Sequence, residues 1–320
     1  MHKLKNNEVL VAEICRMHYI DNFSQNEISS DLRISKSTVS RLLKEGREKK
    51  IVSFHIKNYE DRMDYLEQEF KKLFDLKEAI VVSDEAIFSE EFIKKKVAKA
   101  AALSLERRIR DGDTIAVSWG TTLSEVGKTL DVSDNLTNTE IVPLLGGIGI
   151  TGRDIFSNEI ARRLSKALGG KYYLLNAPVF VSNLKTKEAF EKEESIKIVI
   201  DKAKSAYIAI VGIGTPKKSS TMIKRGYFSV AEFSKLSEKG VVGDICTDFF
   251  NINGDILKTS LKDKMIGIGV KELRKYVPIV IGVACGEDKK EAVLGALKGK
   301  HINAIVTNKK VAEYVIENTK

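Results

Sequence analysis

Cysteine is scarce in this chain and scattered. Cys15, Cys246 and Cys285 are the only three in 320 residues, and no two form a CxxC pair. That excludes a disulfide framework and a cysteine zinc site, and it points to a reducing, cytoplasmic setting. Histidine is nearly as rare: His2, His18, His55 and His301 are the only four. There are only 4 prolines and no Ser/Gly-rich linker, which argues for a compact chain. No apolar run approaches the ~18 residues of a spanning helix, and Met1 is not followed by an apolar signal core. A soluble protein without a membrane partner is therefore expected. No glycine run forms a GxGxxG or Walker A loop, so nucleotide cofactors and NTP hydrolysis are disfavoured, and no cofactor is expected.

What is present is length, core and positive charge. At 320 residues with 43% hydrophobic content, two or more domains are expected. The formal net charge of +9 fits a polyanionic partner, or a lysine-rich surface of no special purpose.

Residues 1–57 read as one helical unit. Leu10, Val11, Ile14, Met17 and Ile20 recur at helical spacing. Ser24-Gln25-Asn26-Glu27 is a capping box, in which the serine takes a backbone amide and the glutamate reaches back. The helix it opens buries Ile28 and Leu32, Arg33-Ile34 makes a turn, and Ser35 caps a second helix that buries Val39, Leu42 and Leu43. Residues 51–56 alternate in strand fashion, as the wing of a winged helix does. The second helix offers Ser35, Lys36, Ser37 and Thr38 in its first turn, with Ser40, Arg41 and Lys44 beyond. Short hydroxyls approach bases or phosphates closely, and an arginine can bond a guanine edge in bidentate fashion. This pattern predicts a helix-turn-helix that reads double-stranded operator DNA in the major groove, usually as a dimer. Arg47, Lys49 and Lys50 form either a solvated face or a phosphate-positioning surface.

Residues 58–76 read as a connecting helix, with Met63, Leu66, Phe70 and Leu73 on one stripe. From 77 onward short apolar runs alternate with helical stretches. The runs cover 79–82, 114–118, 141–145, 172–175, 206–211, 279–283 and 304–306. That alternation predicts an α/β domain with an open, mainly parallel sheet, Rossmann-like, over 77–320.

Several glycine loops follow these strands. In TIAVSWGTTL a strand ends at Trp119-Gly120 and a helix starts at Thr121-Thr122. The turn exposes backbone N–H groups at a helix N-terminus, an anion seat. Gly146-Gly147, with Arg153 further on, Gly212-Ile213-Gly214, and Cys285-Gly286 leading to Lys289 also follow strands. Asp244 sits in GVVGDICTDFF, which reads as a polar loop. Ligands of open sheets bind at the carboxyl ends of strands. Converging there, these groups suit a polyhydroxylated anion: amides and cations for phosphate, a carboxylate for hydroxyls.

The blocks SQNEISSDLRISKSTVSRLLKEGREK, VSWGTTL, PLLGG, VGIGTP, GVVGDICTDFFNINGDI and CGEDKKEAVLGALKGKHINAIVTN occur in this order across nearly the whole chain. Together they resemble the SorC family of bacterial sugar-responsive transcription regulators, sometimes grouped with deoxyribonucleoside regulators. The resemblance implies an N-terminal helix-turn-helix and an effector domain similar to glucosamine-6-phosphate deaminase and ribose-5-phosphate isomerase. It implies a phosphorylated sugar as effector and a homodimer or homotetramer. By it, Gly120, Thr121 and Thr122 hold phosphate and Lys289 adds charge. Arg225 falls where a second cation can stand. Asp244 holds a sugar hydroxyl, and Gly146, Gly147, Gly212 and Gly214 let the backbone approach. Arg153 and Asn158 are wall residues. Cys285 departs from the glycine of many members, and is read as packed rather than reactive. Leu145 stands where a lysine could form a Schiff base with an open-chain aldose phosphate. Unless another pocket lysine serves, the effector is held noncovalently.

The competing reading is a sugar-phosphate isomerase or deaminase with an accessory DNA-binding domain. Such chemistry needs a base and an acid partner near a carbonyl. No histidine falls in a glycine loop, His301 reads as surface or structural, and Asp244 lacks a clear acid partner. A structural DNA binder would not need the ligand loops. The expectation is a regulator with no catalytic or metal site.

Overall fold

The structure is a computed structural model. It describes residues 2–52, 63–85, 89–130, 136–147, 156–217, 220–224, 229–259 and 261–319. The chain divides into two units, Met1–Glu60 and Asp61–Lys320.

The first unit holds α1 (His2–Tyr19), α2 (Gln25–Asp31) and α3 (Lys36–Glu48). The expected capping box is in place: the Ser24 amide donates to Glu27 Oε2 at 2.7 Å, and the Glu27 amide donates to Ser24 Oγ at 3.3 Å. Arg33 turns the chain at φ 51°. Ser29 Oγ ties α2 to that turn, donating to the Ile34 carbonyl at 2.6 Å. Ser35 then caps α3 by accepting from the Thr38 amide at 3.1 Å. Two helices are thus locked at a fixed angle by side-chain bonds at every corner. Val11, Ile14, Cys15, Met17, Ile28, Val39, Leu42 and Leu43 form the buried core. Ile51 and Val52 lie in a bend, their amides bonded to the Gly46 carbonyl at 2.9 and 3.2 Å. The rest of the expected wing strand, 53–56, falls outside the described residues.

Eight buried side chains make a small core, so one cavity in it is felt strongly. Ile28→Ala, at a fully buried position, is expected to cost about 2–5 kcal/mol. Urea unfolding should show this unit melting early, with the second unit's transition unmoved.

The second unit begins with α4 (Asp64–Phe74) and alternates from there. Its strands are β1 (Glu78–Val82), β2 (Thr114–Val117), β3 (Glu140–Pro143), β4 (Lys171–Tyr172), β5 (Ile208–Gly212), β6 (Gly243–Ile245), β7 (Asp248–Phe250), β8 (Ile279–Val283) and β9 (Ala304–Asn308). The helices are α5 (Glu90–Glu106), α6 (Thr121–Thr129), α7 (Ser157–Leu168), α8 (Leu184–Lys192), α9 (Glu194–Lys204), α10 (Thr221–Lys224), α11 (Val230–Glu238), α12 (Val270–Tyr276), α13 (Lys290–Lys298) and α14 (Lys309–Glu317).

Seven strands pair in parallel in the order β1-β9-β8-β5-β2-β3-β4. Their side chains alternate between two buried faces. Ala79, Val81, Ala116 and Val211 pack with α4, α9, α12, α13 and α14. Ile80, Val82, Ile115 and Ile210 pack with α5, α6 and α7. A sheet covered on both faces explains why the strands read as continuous apolar runs. From β2 the sheet runs to β3 and β4 on one side and to β5, β8, β9 and β1 on the other. The order therefore reverses between β2 and β5, which opens a crevice at the carboxyl ends of these strands.

Two sequence readings are corrected here. The run 172–175 yields only the two-residue edge strand β4, because the chain leaves the sheet after Tyr172 and the Leu175 amide turns to Asn158. The stretch GVVGDICTDFF is not a polar loop. It forms the antiparallel hairpin β6–β7, buried throughout.

Candidate functional site

Each unit carries one candidate site. In the first, α3 buries Val39, Leu42, Leu43 and Gly46. The opposite face is left to solvent: Ser35, Lys36, Ser37, Ser40, Arg41 and Lys44 are exposed, and Thr38 is half-buried. Ser37, Arg41 and Lys44 follow one another at spacings of four and three, one stripe of a helix. The Ser35 hydroxyl lies 2.8 Å from both the Ser37 and Thr38 hydroxyls, so three oxygens cluster at the helix start. Arg41 and Lys44 are only loosely engaged, at 3.7 Å from Glu45 and 3.5 Å from Glu48. Exposed pairs of that length contribute little and yield readily to a stronger anion. Six of the seven residues singled out in the sequence are thus exposed, and Thr38 is partly so.

The second site is a cleft of about 250 Å3 at the crevice between β2 and β5. Loops after β2, β5 and β8 wall it, through Trp119–Leu123, Gly212–Thr215, Val283–Gly286, Asp288 and Lys289, with Asp244 beside them. The β2 and β5 loops are latched together: the Gly212 amide donates to Ser118 Oγ at 3.1 Å. Gly120 caps α6 at φ 133°, and no side chain caps that helix. The first turn of α6 lines the cleft, and among the described residues no side chain accepts from its N-cap end, as an anion seat requires. Gly286 repeats the arrangement at φ 100°, opening the turn Glu287–Lys289 that runs into α13. Both backbone angles favour glycine.

The charged groups at the cleft are set against one another. Lys289 is half-buried, and its burial lowers its pKa while Asp288 and Asp244 raise it. Asp244, 5% exposed, is pushed up to about 6, chiefly by burial, against the pull of Lys289 and of the Thr247 amide. The hairpin that holds Asp244 is tight. Its two turn residues, Cys246 and Thr247, take φ 50° and 64°, where a β-branched threonine is strained. Asp248 secures the far end, accepting from the Val270 amide at 2.8 Å and from Lys262 Nζ at 2.9 Å. The Gly214 amide donates to the Asp244 carbonyl at 2.8 Å, and a Cβ on Gly214 would overlap the Asp244 carboxylate. Gly214→Ala is therefore expected to displace that carboxylate and weaken binding of a ligand in the cleft about tenfold or more, with a modest loss of melting temperature. Calorimetric titration of the variant checks this.

The structure brings together Gly120, Thr121, Thr122, Gly212, Gly214, Asp244 and Lys289. It places three other expected residues elsewhere. Gly146 packs on the chain at Ala177 and Pro178, where a Cβ would strike carbonyl oxygens at 2.6 and 2.8 Å. Gly147 bonds the same segment, its amide donating to the Ala177 carbonyl at 2.7 Å. Asn158 clamps Leu175, accepting from its amide at 3.1 Å. None of the three lines the cleft. Arg153 and Arg225 lie outside the described residues. Leu145 is fully buried, and its carbonyl accepts from Ser157 Oγ. Leu145 is not among the residues that line the cleft, and the described lysines that do are Lys94 and Lys289. Cys285 is pushed up to about 11 by burial, so it stays a thiol at neutral pH and is a poor nucleophile. His301 is buried, 1% exposed, against the Phe250 ring.

Sequence reasoning missed Glu90, Lys94, Ser220 and Met222 at the cleft, and it put Trp119 and Asp288 in the converging loops without singling them out. Trp119 and Asp288 adjoin residues that were named. Glu90 and Lys94 come from the first turns of α5, and topology supplied the missing signal: a helix after a parallel strand starts at that strand's carboxyl end, on the side of the crevice.

A family described as a putative sugar-binding domain matches residues 58–317. The sorbitol operon regulator of Klebsiella pneumoniae is 31% identical over 96% of this chain and 98% of its own length. The deoxyribonucleoside regulator of Bacillus subtilis is 30% identical over 97% of each. Among solved structures, the full-length sorbitol operon regulator from K. pneumoniae superposes with a TM-score of 0.77 at 30% identity, covering 96% of this chain and 98% of that one. A DeoR family transcriptional regulator from Listeria monocytogenes gives 0.72 at 34%, covering 79% and 98%. The class that these likenesses define is a transcription regulator with a sugar-binding domain. The chain belongs to the SorC family of transcription regulators.

Proposed function

We propose that this regulator controls a carbohydrate-utilisation operon and that a phosphorylated sugar, bound noncovalently in the cleft, sets its affinity for operator DNA. The observation that carries the reading is the pairing of two unlike features in one crevice. The uncapped start of α6, with Lys289, suits a phosphate, and the buried Asp244 carboxyl suits a sugar hydroxyl. A nucleic-acid ligand would not need a buried carboxylate, and a neutral sugar would not need the amides and the lysine.

The first unit acts as a winged helix-turn-helix, with Ser35, Lys36, Ser37, Thr38, Ser40, Arg41 and Lys44 toward the major groove. A homodimer or homotetramer in the cytoplasm presents two such units to paired half-sites, whose spacing is strict. The second unit follows the plan of glucosamine-6-phosphate deaminase and ribose-5-phosphate isomerase, with binding kept and catalysis absent. The effector shifts operator affinity to the extent that it binds one arrangement of the subunits better than the other.

A thermal-shift panel tests this: glucose 6-phosphate, fructose 6-phosphate, ribose 5-phosphate, deoxyribose 5-phosphate and the four parent sugars. A ligand at a hundred times its Kd stabilises by about 2.7 kcal/mol, so a selective rise in Tm with one or two phosphates is expected. A rise with a parent sugar and not with its phosphate overturns the phosphate assignment.

A further inference from the structure

Asn308 ends β9 at the N-cap position of α14, where asparagine ordinarily bonds the helix amides. Its side chain makes no cap bond. It reaches instead to two other segments. Asn308 Oδ1 accepts from the Gly286 amide at 3.1 Å, and Asn308 Nδ2 donates to Asp84 Oδ2 at 2.6 Å. Asn308 is 1% exposed and Asp84 3%, and neither lines the cleft. The two bonds fix the amide's orientation. Asp84, just past the end of β1, offers only acceptors when ionised, so the NH2 must face it and the oxygen must face the Gly286 N–H. Gly286 is the pivot of the cleft's third wall: Cys285, Gly286, Asp288 and Lys289 all line it. The Ala284 amide holds the start of that wall, donating to the Val306 carbonyl at 3.2 Å.

We propose that Asn308 is a positioning residue of the effector cleft, which aims the Gly286–Lys289 turn at the ligand, and that Asp84 orients Asn308. This rests on the reading of the cleft as the effector site. The turn's glycine sits at φ 100°, and without Asn308 its half-buried amide loses the bond that holds the turn to the end of β9. Asp84 lies three residues beyond Val81, whose amide donates to Glu67 Oε1 of α4 at 3.0 Å. The strand end that orients Asn308 therefore also carries the helix leading back toward the first unit in sequence.

The chemistry of the pair supplies a test by exchange of partners. Asn308→Asp keeps an acceptor for Gly286 but sets two carboxylates face to face. Asp84→Asn alone keeps a bond, because the new amide oxygen accepts from Asn308 Nδ2. The double variant Asp84→Asn/Asn308→Asp restores the bond between the two side chains with donor and acceptor reversed, while the Gly286 N–H still donates to position 308. In the full-length, ligand-free protein, amide hydrogen exchange over 284–290 is expected to rise at least tenfold in Asn308→Asp. It should stay near wild type in Asp84→Asn and return to within threefold of wild type in the double variant. The Kd for inorganic phosphate, used as the probe, should weaken at least fivefold in Asn308→Asp and recover in the double. Should Asn308→Asp not fold, Asn308→Ser, whose hydroxyl cannot span both partners, takes its place with the same expectation. Unchanged exchange in the single variant, or a double variant as defective as the single, overturns the proposal. So does equal phosphate binding by wild type and Asn308→Asp. If the wild type binds neither phosphate nor any sugar phosphate, the effector reading fails instead, and the exchange data still decide the role of Asn308.

Discussion

Asp244→Asn is expected to abolish the effector response and at the same time to stabilise the ligand-free protein at pH 8 by about 1–3 kcal/mol. Burial pushes the Asp244 carboxyl up to about 6 from the ordinary 3.8. A raised carboxyl pKa means that the folded state holds the proton more tightly than the unfolded chain. The group's contribution to stability is therefore complete below about pH 4 and is lost as pH rises through about 6. A displacement of that size is worth about 3 kcal/mol. Asparagine keeps the shape and removes the charge, so that loss disappears. Part of the gain is returned, because Lys289 loses a counter-charge. Urea unfolding at pH 5 and pH 8 should show the wild type losing stability across this range and the variant losing much less. A variant with the wild-type pH profile would mean that Asp244 is not the titrating group. A site that is costly to the fold and needed for the ligand is the ordinary trade between stability and function.

Arg41→Ala and the pair Thr122→Val/Lys289→Ala are expected to separate the two activities. Loss of Arg41 from the exposed stripe of α3 should weaken operator binding by about 1–3 kcal/mol, roughly five- to 150-fold, for a contact to a base edge. The Tm rise with effector should be unchanged. The double variant removes a hydroxyl and a cation from the cleft wall. Operator affinity should then stay within about twofold of wild type, while the ligand-induced Tm rise disappears. Titration of a fluorescent operator duplex, repeated at two salt concentrations, reads the first effect. It also separates a base contact from a phosphate contact, since only the latter reduces the salt slope.

Much of this was legible in the sequence for physical reasons. The capping box Ser24–Glu27 and the cap Ser35 are local bonds between neighbours, so residue identity and spacing suffice to foresee them. The parallel strands announced themselves as short apolar runs because both sheet faces are covered. Gly120, Gly212, Gly214 and Lys289 reached the cleft because strand ends and crossover rules put them there.

What was not legible depends on contacts between distant segments. The β6–β7 hairpin lacks the Asn-Gly or Asp-Gly turn that marks a two-residue hairpin. It turns instead on Cys246-Thr247, a pair that only the surrounding core can hold at positive φ. Gly146 and Asn158 resemble cleft residues in one dimension. In three, the segment at 175–178 lies against them and takes their bonding capacity. Asn308 gave no signal at all, since its partners Asp84 and Gly286 stand 224 and 22 residues away.

The central claim is that occupancy of the cleft changes affinity for DNA. Its most direct test is the operator Kd of the full-length protein, measured by fluorescence anisotropy with and without a saturating sugar phosphate chosen by thermal shift. The operator is one selected by the protein from a random duplex library. A coupling of about 1–3 kcal/mol predicts a change of at least fivefold in the wild type and none in Thr122→Val/Lys289→Ala. An operator Kd that stays the same in the wild type while the ligand is bound, or one that still shifts in the double variant, would contradict the account.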